Sequence, residues 1–267
     1  MNQTIVASMP LIGGQVAAFI IGCVFGSFYN VVIHRLPSGQ SIVYPGSRCP
    51  CCGNGIAAYD NIPLVSYLLL RGKCRTCKTR ISLRYPLVEG LSGLLALLLF
   101  NRYGFHPQLL IEFIFCSLLL IITMIDLDTM EIPDVLSLSG IALGFGVSFL
   151  TPRLTWLQSL MGLALGGGAF YLIAVLYSLL RHKEGLGGGD IKLLAMIGAF
   201  LGWKGVVFTI FSSSVCGILI AVPLMLRAGK NLSSHLPFGP FLAFGAVAYI
   251  FWGELFYHWY FSTLLGM

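Results

Sequence analysis

Phe113-Ile114-Phe115-Cys116-Ser117-Leu118-Leu119-Leu120-Ile121-Ile122-Thr123-Met124-Ile125-Asp126 is a run of thirteen uncharged residues that ends on an acid. It closes the longer apolar stretch Leu109 to Ile125, whose length predicts a helix in a bilayer. Charge beside hydrocarbon is costly, so a carboxylate at the end of the run is read as functional, with a partner to be found. Asp190 has the same standing: it closes Gly187-Gly188-Gly189-Asp190 just before another apolar run. Each aspartate is the other's natural partner.

Working outward, composition sets the class. Hydrophobic residues make up 57% of the 267, charged residues only 10%, and mean hydropathy is +0.88. A soluble domain carries roughly a quarter charged residues, so the chain reads as an all-α polytopic membrane protein. About eight transmembrane helices are expected: Leu11 to Ile33, Leu87 to Phe100, Leu109 to Ile125, Val135 to Leu150, Trp156 to Leu180, Ile191 to Leu201, Val206 to Leu226 and Pro237 to Tyr260. The second and sixth are short and must borrow flanking residues such as Glu89 or Gly187 to Lys192. Met1 to Ile33 holds no Asp, Glu, Lys or Arg. It lacks the basic start of a cleavable signal peptide and is expected to be a retained first helix.

Lysine and arginine set the orientation. With both termini outside, the inner loops hold thirteen cations (Arg35, Arg48, Arg71, Lys73, Arg75, Lys78, Arg80, Arg84, Arg181, Lys183, Lys192, Arg227 and Lys230), and the outer loops hold three, Arg102, Arg153 and Lys204. The net charge of +6 is thus a topology signal. The cations form no single stripe, so nucleic acid is not an expected partner and the lipid bilayer is.

The long polar excursion from Arg35 to Arg84 contains Cys49-Pro50-Cys51-Cys52 and Cys74-Arg75-Thr76-Cys77, with twenty-one residues between Cys52 and Cys74. Two such knuckles, each offering two thiolates from a tight turn, suit a closed tetrahedral site for structural Zn(II). The alternatives are disulfides, disfavoured in a reducing inner compartment, or unpaired thiols. Cys51 is a surplus thiol able to exchange with Cys52. Cys23, Cys116 and Cys216 lie in apolar runs and read as small hydrophobes.

Asp126, Asp128, Glu131 and Asp134 place four acids within nine residues. Asp126 should be the deepest; the other three fit a solvated loop equally well. Pro133 suits the opening turn of the next helix, and Asp134 an N-terminal helix acid. The glycines before Asp190 suit a non-helical loop re-entering the bilayer, or else a hinge with Asp190 as an ordinary N-cap. Two adjacent carboxylates resist double ionisation and share a proton. The charged member can take a proton from attacking water while the neutral one donates to the peptide carbonyl. No Gly-x-Ser-x-Gly or His-Glu-x-x-His run competes, and His34, His106, His182, His235 and His258 are scattered near expected helix ends.

Asp126 with Ile132-Pro133-Asp134, and Gly187 to Asp190 with Lys192, resemble the paired active-site pattern of the type IV prepilin peptidases, members of the GxGD intramembrane aspartyl proteases. Gly26-Ser27-Phe28-Tyr29-Asn30-Val31-Val32-Ile33-His34-Arg35-Leu36-Pro37 resembles their amino-terminal signature, and the two knuckles resemble those of their cytoplasmic domain. The resemblance implies an enzyme of the bacterial inner membrane that removes the basic leader from prepilins or pseudopilins at the cytoplasmic face and N-methylates the new terminus with S-adenosylmethionine. It implies Asp126 and Asp190 as the catalytic pair and Cys49, Cys52, Cys74 and Cys77 as zinc ligands. Residues 1–34 are then a first helix with the signature, 35–85 a cytoplasmic zinc-binding domain and 86–267 a seven-helix protease domain. No strand followed by Gly-x-Gly-x-x-Gly marks a methyltransferase. An ion transporter or channel using the two aspartates, or a non-catalytic pilus assembly protein, are the rival classes. Asp128, Glu131, Asp134 and Glu184 are expected to form an acidic rim that docks a basic leader.

Overall fold

The computed structural model of the chain describes residues 11–181, 187–228 and 237–264. It is built from α1 (Leu11–Arg35), α2 (Val65–Leu69), α3 (Arg84–Tyr103), α4 (Gln108–Thr129), α5 (Asp134–Val147), α6 (Trp156–Leu163), α7 (Phe170–Arg181), α8 (Gly188–Ala228) and α9 (Gly239–Leu264). Among the described residues there is no strand, only isolated bridges pairing Arg48 with Gly55 and Lys73 with Arg80. All eight apolar segments expected from the sequence are helical over most of their length. Five helical stretches are long and apolar enough to cross a membrane: Ile12–Arg35, Gln108–Thr129, Trp156–Leu180, Gly188–Ile220 and Gly239–Tyr260. The protein is a multi-pass membrane protein.

The differences from the expected spans have local causes. Arg84, Glu89, Asn101 and Arg102 dilute the hydropathy of α3, and α5 has only 14 residues. The segments expected at Ile191 to Leu201 and Val206 to Leu226 meet end to end in α8, where Gly202 (φ 70, ψ −177) breaks the helical path without a connecting loop. Only glycine takes that conformation without strain. Within the expected helix Trp156 to Leu180, a π-helical stretch at Ala164–Ala169 joins α6 to α7.

The chain divides into two compact units, one ending at Ile121 and one starting at Ile122. In the first, α1 packs antiparallel on α3 through small residues. A Cβ on Gly22 would lie 2.6 Å from the Ser92 carbonyl oxygen, one on Gly26 2.7 Å from Glu89 Cα, and one on Gly93 2.5 Å from Cys23 Sγ. The spacing of Gly22 and Gly26 lets two backbones approach as in tightly packed membrane helices. Polar contacts fix the register: Asn30 Nδ2 donates to the Tyr85 carbonyl at 3.1 Å, and Tyr29 Oη pairs with Ser117 Oγ at 2.6 Å.

In the second unit α8 is the central element, with α5, α6 and α9 packed on it. Gly162 of α6 and Gly198 of α8 leave no room for a side chain on either, since each added Cβ would enter the other's backbone. Ser159 Oγ donates to the Ala199 carbonyl at 2.7 Å beside this crossing. On the opposite side Gly245 of α9 sits against Thr209, and Phe208 meets the rings of Tyr249 and Phe256 with centroids 5.5 and 5.2 Å away. The Gly162–Gly198 crossing lies before the break at Gly202 and fixes that part of α8 along its axis, and with it the height of the first turn, which carries Asp190.

Candidate functional site

Asp126 lies in the last turn of α4, 4% exposed. The Met130 N–H closes that turn on the Asp126 carbonyl at 2.9 Å, with Met130 itself at φ 54. Asp128, two positions on, is exposed on another face. The Asp126 carboxylate accepts the Gly239 N–H at 3.0 Å on Oδ2. Gly239 opens α9, so the donor is one of the free amides at a helix N-terminus, where the dipole also favours an anion. A Cβ on Gly239 would come within 2.5 Å of the same oxygen. Glycine is needed there for the approach.

Asp190 stands inside the first turn of α8, with its N–H donating to the Gly187 carbonyl at 3.1 Å. It is therefore not the N-cap considered from the sequence, and Gly188 and Gly189 are helical rather than parts of a non-helical loop. The glycines serve close approach instead. A Cβ on Gly189 would lie 2.9 Å from Ile132 Cβ, and one on Gly187 would lie 3.2 Å from Asp190 Oδ2. Lys192 Nζ meets Asp134 Oδ1 at 2.6 Å. Ile132, Pro133 and Asp134 thus lie against the start of α8. The approach of Ile132 to Gly189 brings the end of α4, which carries Asp126, toward the first turn of α8, which carries Asp190. Among the described residues, the Asp190 carboxylate accepts no hydrogen bond.

Asp134 opens α5 behind Pro133, as expected, and its exposed carboxylate pairs with Lys192. Glu131 is exposed. Glu184, the fourth member, lies outside the described residues, as do His182 and His235.

The cysteine loop is built from two turns of the same design. Cys49 N–H donates to the Asn54 carbonyl and Gly53 N–H to the Cys49 carbonyl, both at 2.9 Å; Cys74 N–H donates to the Thr79 carbonyl at 2.9 Å and Lys78 N–H to the Cys74 carbonyl at 3.0 Å. Gly53 (φ 70) and Lys78 (φ 58) occupy equivalent left-handed positions. The sulfurs of Cys49, Cys52, Cys74 and Cys77 all lie within 4.8 Å of one another, with Cys49 and Cys77 at 3.8 Å. Zn–S bonds of about 2.3 Å in a tetrahedron put sulfurs roughly 3.8 Å apart, so the cluster has the dimensions to hold a metal ion. Cys51 is exposed, its sulfur 3.3 Å from Thr79 Oγ1 and outside the group of four. Hydrogen bonding with the side chain and backbone of Thr79 draws the Cys77 thiol down to about 6. Arg75 reaches out of the second knuckle to hold Asp60 through two bonds of 2.7 and 2.6 Å, and this pairing lowers the Asp60 carboxyl.

Two site residues were missed in the sequence. Gly239 looked like the start of an apolar span, although Pro237-Phe238-Gly239-Pro240 has the composition of a helix opening. Glu89 looked like a flank of a short helix, yet it is buried and accepts the Leu64 N–H at 2.8 Å.

The sequence pattern of the Bacterial Peptidase A24 N-terminal domain matches residues 20–103, and that of the Type IV leader peptidase family matches residues 113–222. The chain is similar to the Prepilin leader peptidase/N-methyltransferase of Burkholderia pseudomallei (strain 1026b), 36% identical over 94% of this chain and 89% of that one. It is 35% identical to the protein of the same name from Pseudomonas putida, over 90% of this chain and 91% of the relative. The Myxococcus xanthus (strain DK1622) protein of that name is 40% identical over 79% of this chain and 63% of its own length. No solved structure matches the chain. With the paired aspartates, the cysteine cluster and relatives of this similarity along nearly its whole length, the chain belongs to the type IV leader peptidase family.

Proposed function

We propose that the protein cleaves the basic leader from type IV prepilins or pseudopilins, with Asp126 and Asp190 as the catalytic pair, and N-methylates the new terminus. The observation that supports the cleavage reading is that the chain just beyond Asp126 packs on the first turn of α8, where a Cβ on Gly189, next to Asp190, would lie 2.9 Å from Ile132 Cβ, while Asp126 itself accepts the first amide of α9. The surroundings of the two carboxylates differ. Asp126 accepts an amide N–H at the start of α9, and a hydrogen bond to a carboxylate favours its charged form. Asp190 has no such donor among the described residues. Asp126 is accordingly the base and Asp190 the acid. Water loses a proton to Asp126 as its oxygen bonds to the peptide carbon, and Asp190 passes its proton to the carbonyl oxygen. When the tetrahedral centre collapses, the C–N bond breaks and the nitrogen takes the proton from Asp126. The carbonyl oxygen returns its proton to Asp190.

The cysteine cluster is proposed as a structural zinc site with Cys49, Cys52, Cys74 and Cys77 as ligands; bound zinc would cross-link the two knuckles. Methyl transfer is proposed on the relatives' names alone, and no step is derived through the donor. The proposed arrangement keeps residues 1–34 as the first helix, 35–85 as the zinc-binding domain and 86–267 as the protease domain. The proposed orientation puts the active site and the zinc domain on the cytoplasmic side of the bacterial inner membrane, because thirteen of the sixteen cations then lie in inner loops.

The test is cleavage of a prepilin by purified protein in liposomes. Asp126→Asn and Asp190→Asn preserve size but remove the shared proton, so each should lower turnover by at least about a hundredfold with helical content unchanged. Wild-type cleavage in either variant would overturn the assignment.

A further inference from the structure

The loop between α1 and α3 folds back along the helices that carry it. α1 and α3 run antiparallel, and Gly26 faces Glu89 across their seam. Gly26 lies nine residues before Arg35, the last residue of α1, which is about 13 Å along the axis. Glu89, whose Cα lies at that level, accepts the Leu64 N–H at 2.8 Å, and Leu64 Cδ2 would lie 3.9 Å from a Cβ on Gly90, so the loop returns alongside this part of α3. It does so through a γ-turn: Leu64 has φ 59 and ψ −47, and the Val65 N–H reaches the Pro63 carbonyl at 2.6 Å. That conformation is strained for a residue with a bulky side chain and persists only where neighbours hold it. The Glu89 bond is such a hold.

α2 starts at the next residue. Leu68 and Leu69 are 73% and 78% exposed, and Val65 and Leu83 are exposed with them. Arg71 and Lys73 follow directly and are exposed, as is Arg80, the bridge partner of Lys73. At bilayer depth a backbone N–H outside regular structure has to be satisfied within the protein, and Glu89 does this for Leu64. Exposed leucines followed by cations are the pattern of a segment lying in the membrane interface, where basic side chains meet anionic headgroups.

We propose that α2 is seated in the leaflet on the side of the α1–α3 connection. Leu68 and Leu69 lie among the acyl chains, and Arg71 and Lys73 lie against anionic lipid headgroups. Cys74 follows Lys73 without an intervening residue. The second knuckle is then anchored to the bilayer rather than carried on a free tether.

The experiment uses the full chain in vesicles of phosphatidylethanolamine and phosphatidylglycerol, with a fluorescent amino acid encoded at Leu69 so that all cysteines are kept. Quenching by lipids spin-labelled near the headgroup, with protection from iodide supplied on both sides, is the expected result. Quenching by iodide instead would overturn the proposal. Shielding from both quenchers would mean that protein covers this face, and would overturn it too. Glu89→Leu should lose the lipid quenching, whereas Glu89→Gln, which keeps an acceptor oxygen, should retain it; identical behaviour of the two would remove Glu89 from the argument. Arg71→Gln with Lys73→Gln should weaken lipid quenching in these vesicles. Undiminished quenching would refute the headgroup contact.

Discussion

One amide distinguishes the two carboxylates proposed as the catalytic pair. Gly239 gives its N–H to Asp126 at 3.0 Å and has no room for a methyl group beside that oxygen. Gly239→Ala should push the carboxylate away from its working position. A displacement on the order of 1 Å in such a site costs about a hundredfold in rate, so turnover should fall steeply while the Michaelis constant holds. An equal rise in the Michaelis constant would instead indicate damage to substrate binding. Cys77 gives a second prediction at this scale. Its thiol is held down to about 6 by Thr79, below the usual thiol value, so it is charged at neutral pH and neutral at pH 5. Metal uptake releases the protons still bound to the ligands. Proton release on zinc uptake should therefore rise by nearly one per chain between about pH 7.5 and pH 5, as read by calorimetry in buffers of different ionisation enthalpy; Thr79→Val should flatten that rise.

Among the elements, α8 carries the most constraint. Its first turn bears Asp190, and its position along the axis is fixed eight residues later where Gly198 meets Gly162 with backbone against backbone. Gly198→Ala forces α6 and α8 apart, and overpacking of this kind costs about 1 to 3 kcal/mol. Thermal unfolding should move down, and cleavage should fall further than Ala substitutions on the lipid-facing side of α8 allow, because Asp190 moves with the helix. Full activity in Gly198→Ala would show that the crossing does not set the height of Asp190. The ion pair between Lys192 and Asp134 joins the same two elements, but both side chains are well exposed, at 39% and 58%. Exposed pairs contribute about 0 to 1 kcal/mol. The glycine crossing, not this pair, is the principal restraint.

For the molecule as a whole, the cysteine loop should stand or fall with the proposed zinc. Replacing Cys49, Cys52, Cys74 or Cys77 by Ser should release zinc and raise hydrogen exchange across residues 48–80, since metal binding in a small loop is also folding energy; Cys51→Ser should keep one zinc per chain by elemental analysis. The cysteines, the aspartates and the apolar runs were legible in the sequence because each is a short-range signal: ligand spacing, a charge after a hydrocarbon-length run, and composition. They sufficed for an all-helical membrane protein with a four-cysteine cluster of a size to hold a metal ion and two candidate acids. The Gly239 amide on Asp126, the buried Glu89 beneath Leu64, the glycine seams, and the end-to-end joining of two expected spans at Gly202 were not legible. Each depends on which backbone lies against which, across separations such as the 113 positions between Asp126 and Gly239. A glycine in an apolar run reads the same whether it faces lipid or another helix, and only the packing of α1 on α3 and of α6 and α9 on α8 decides which.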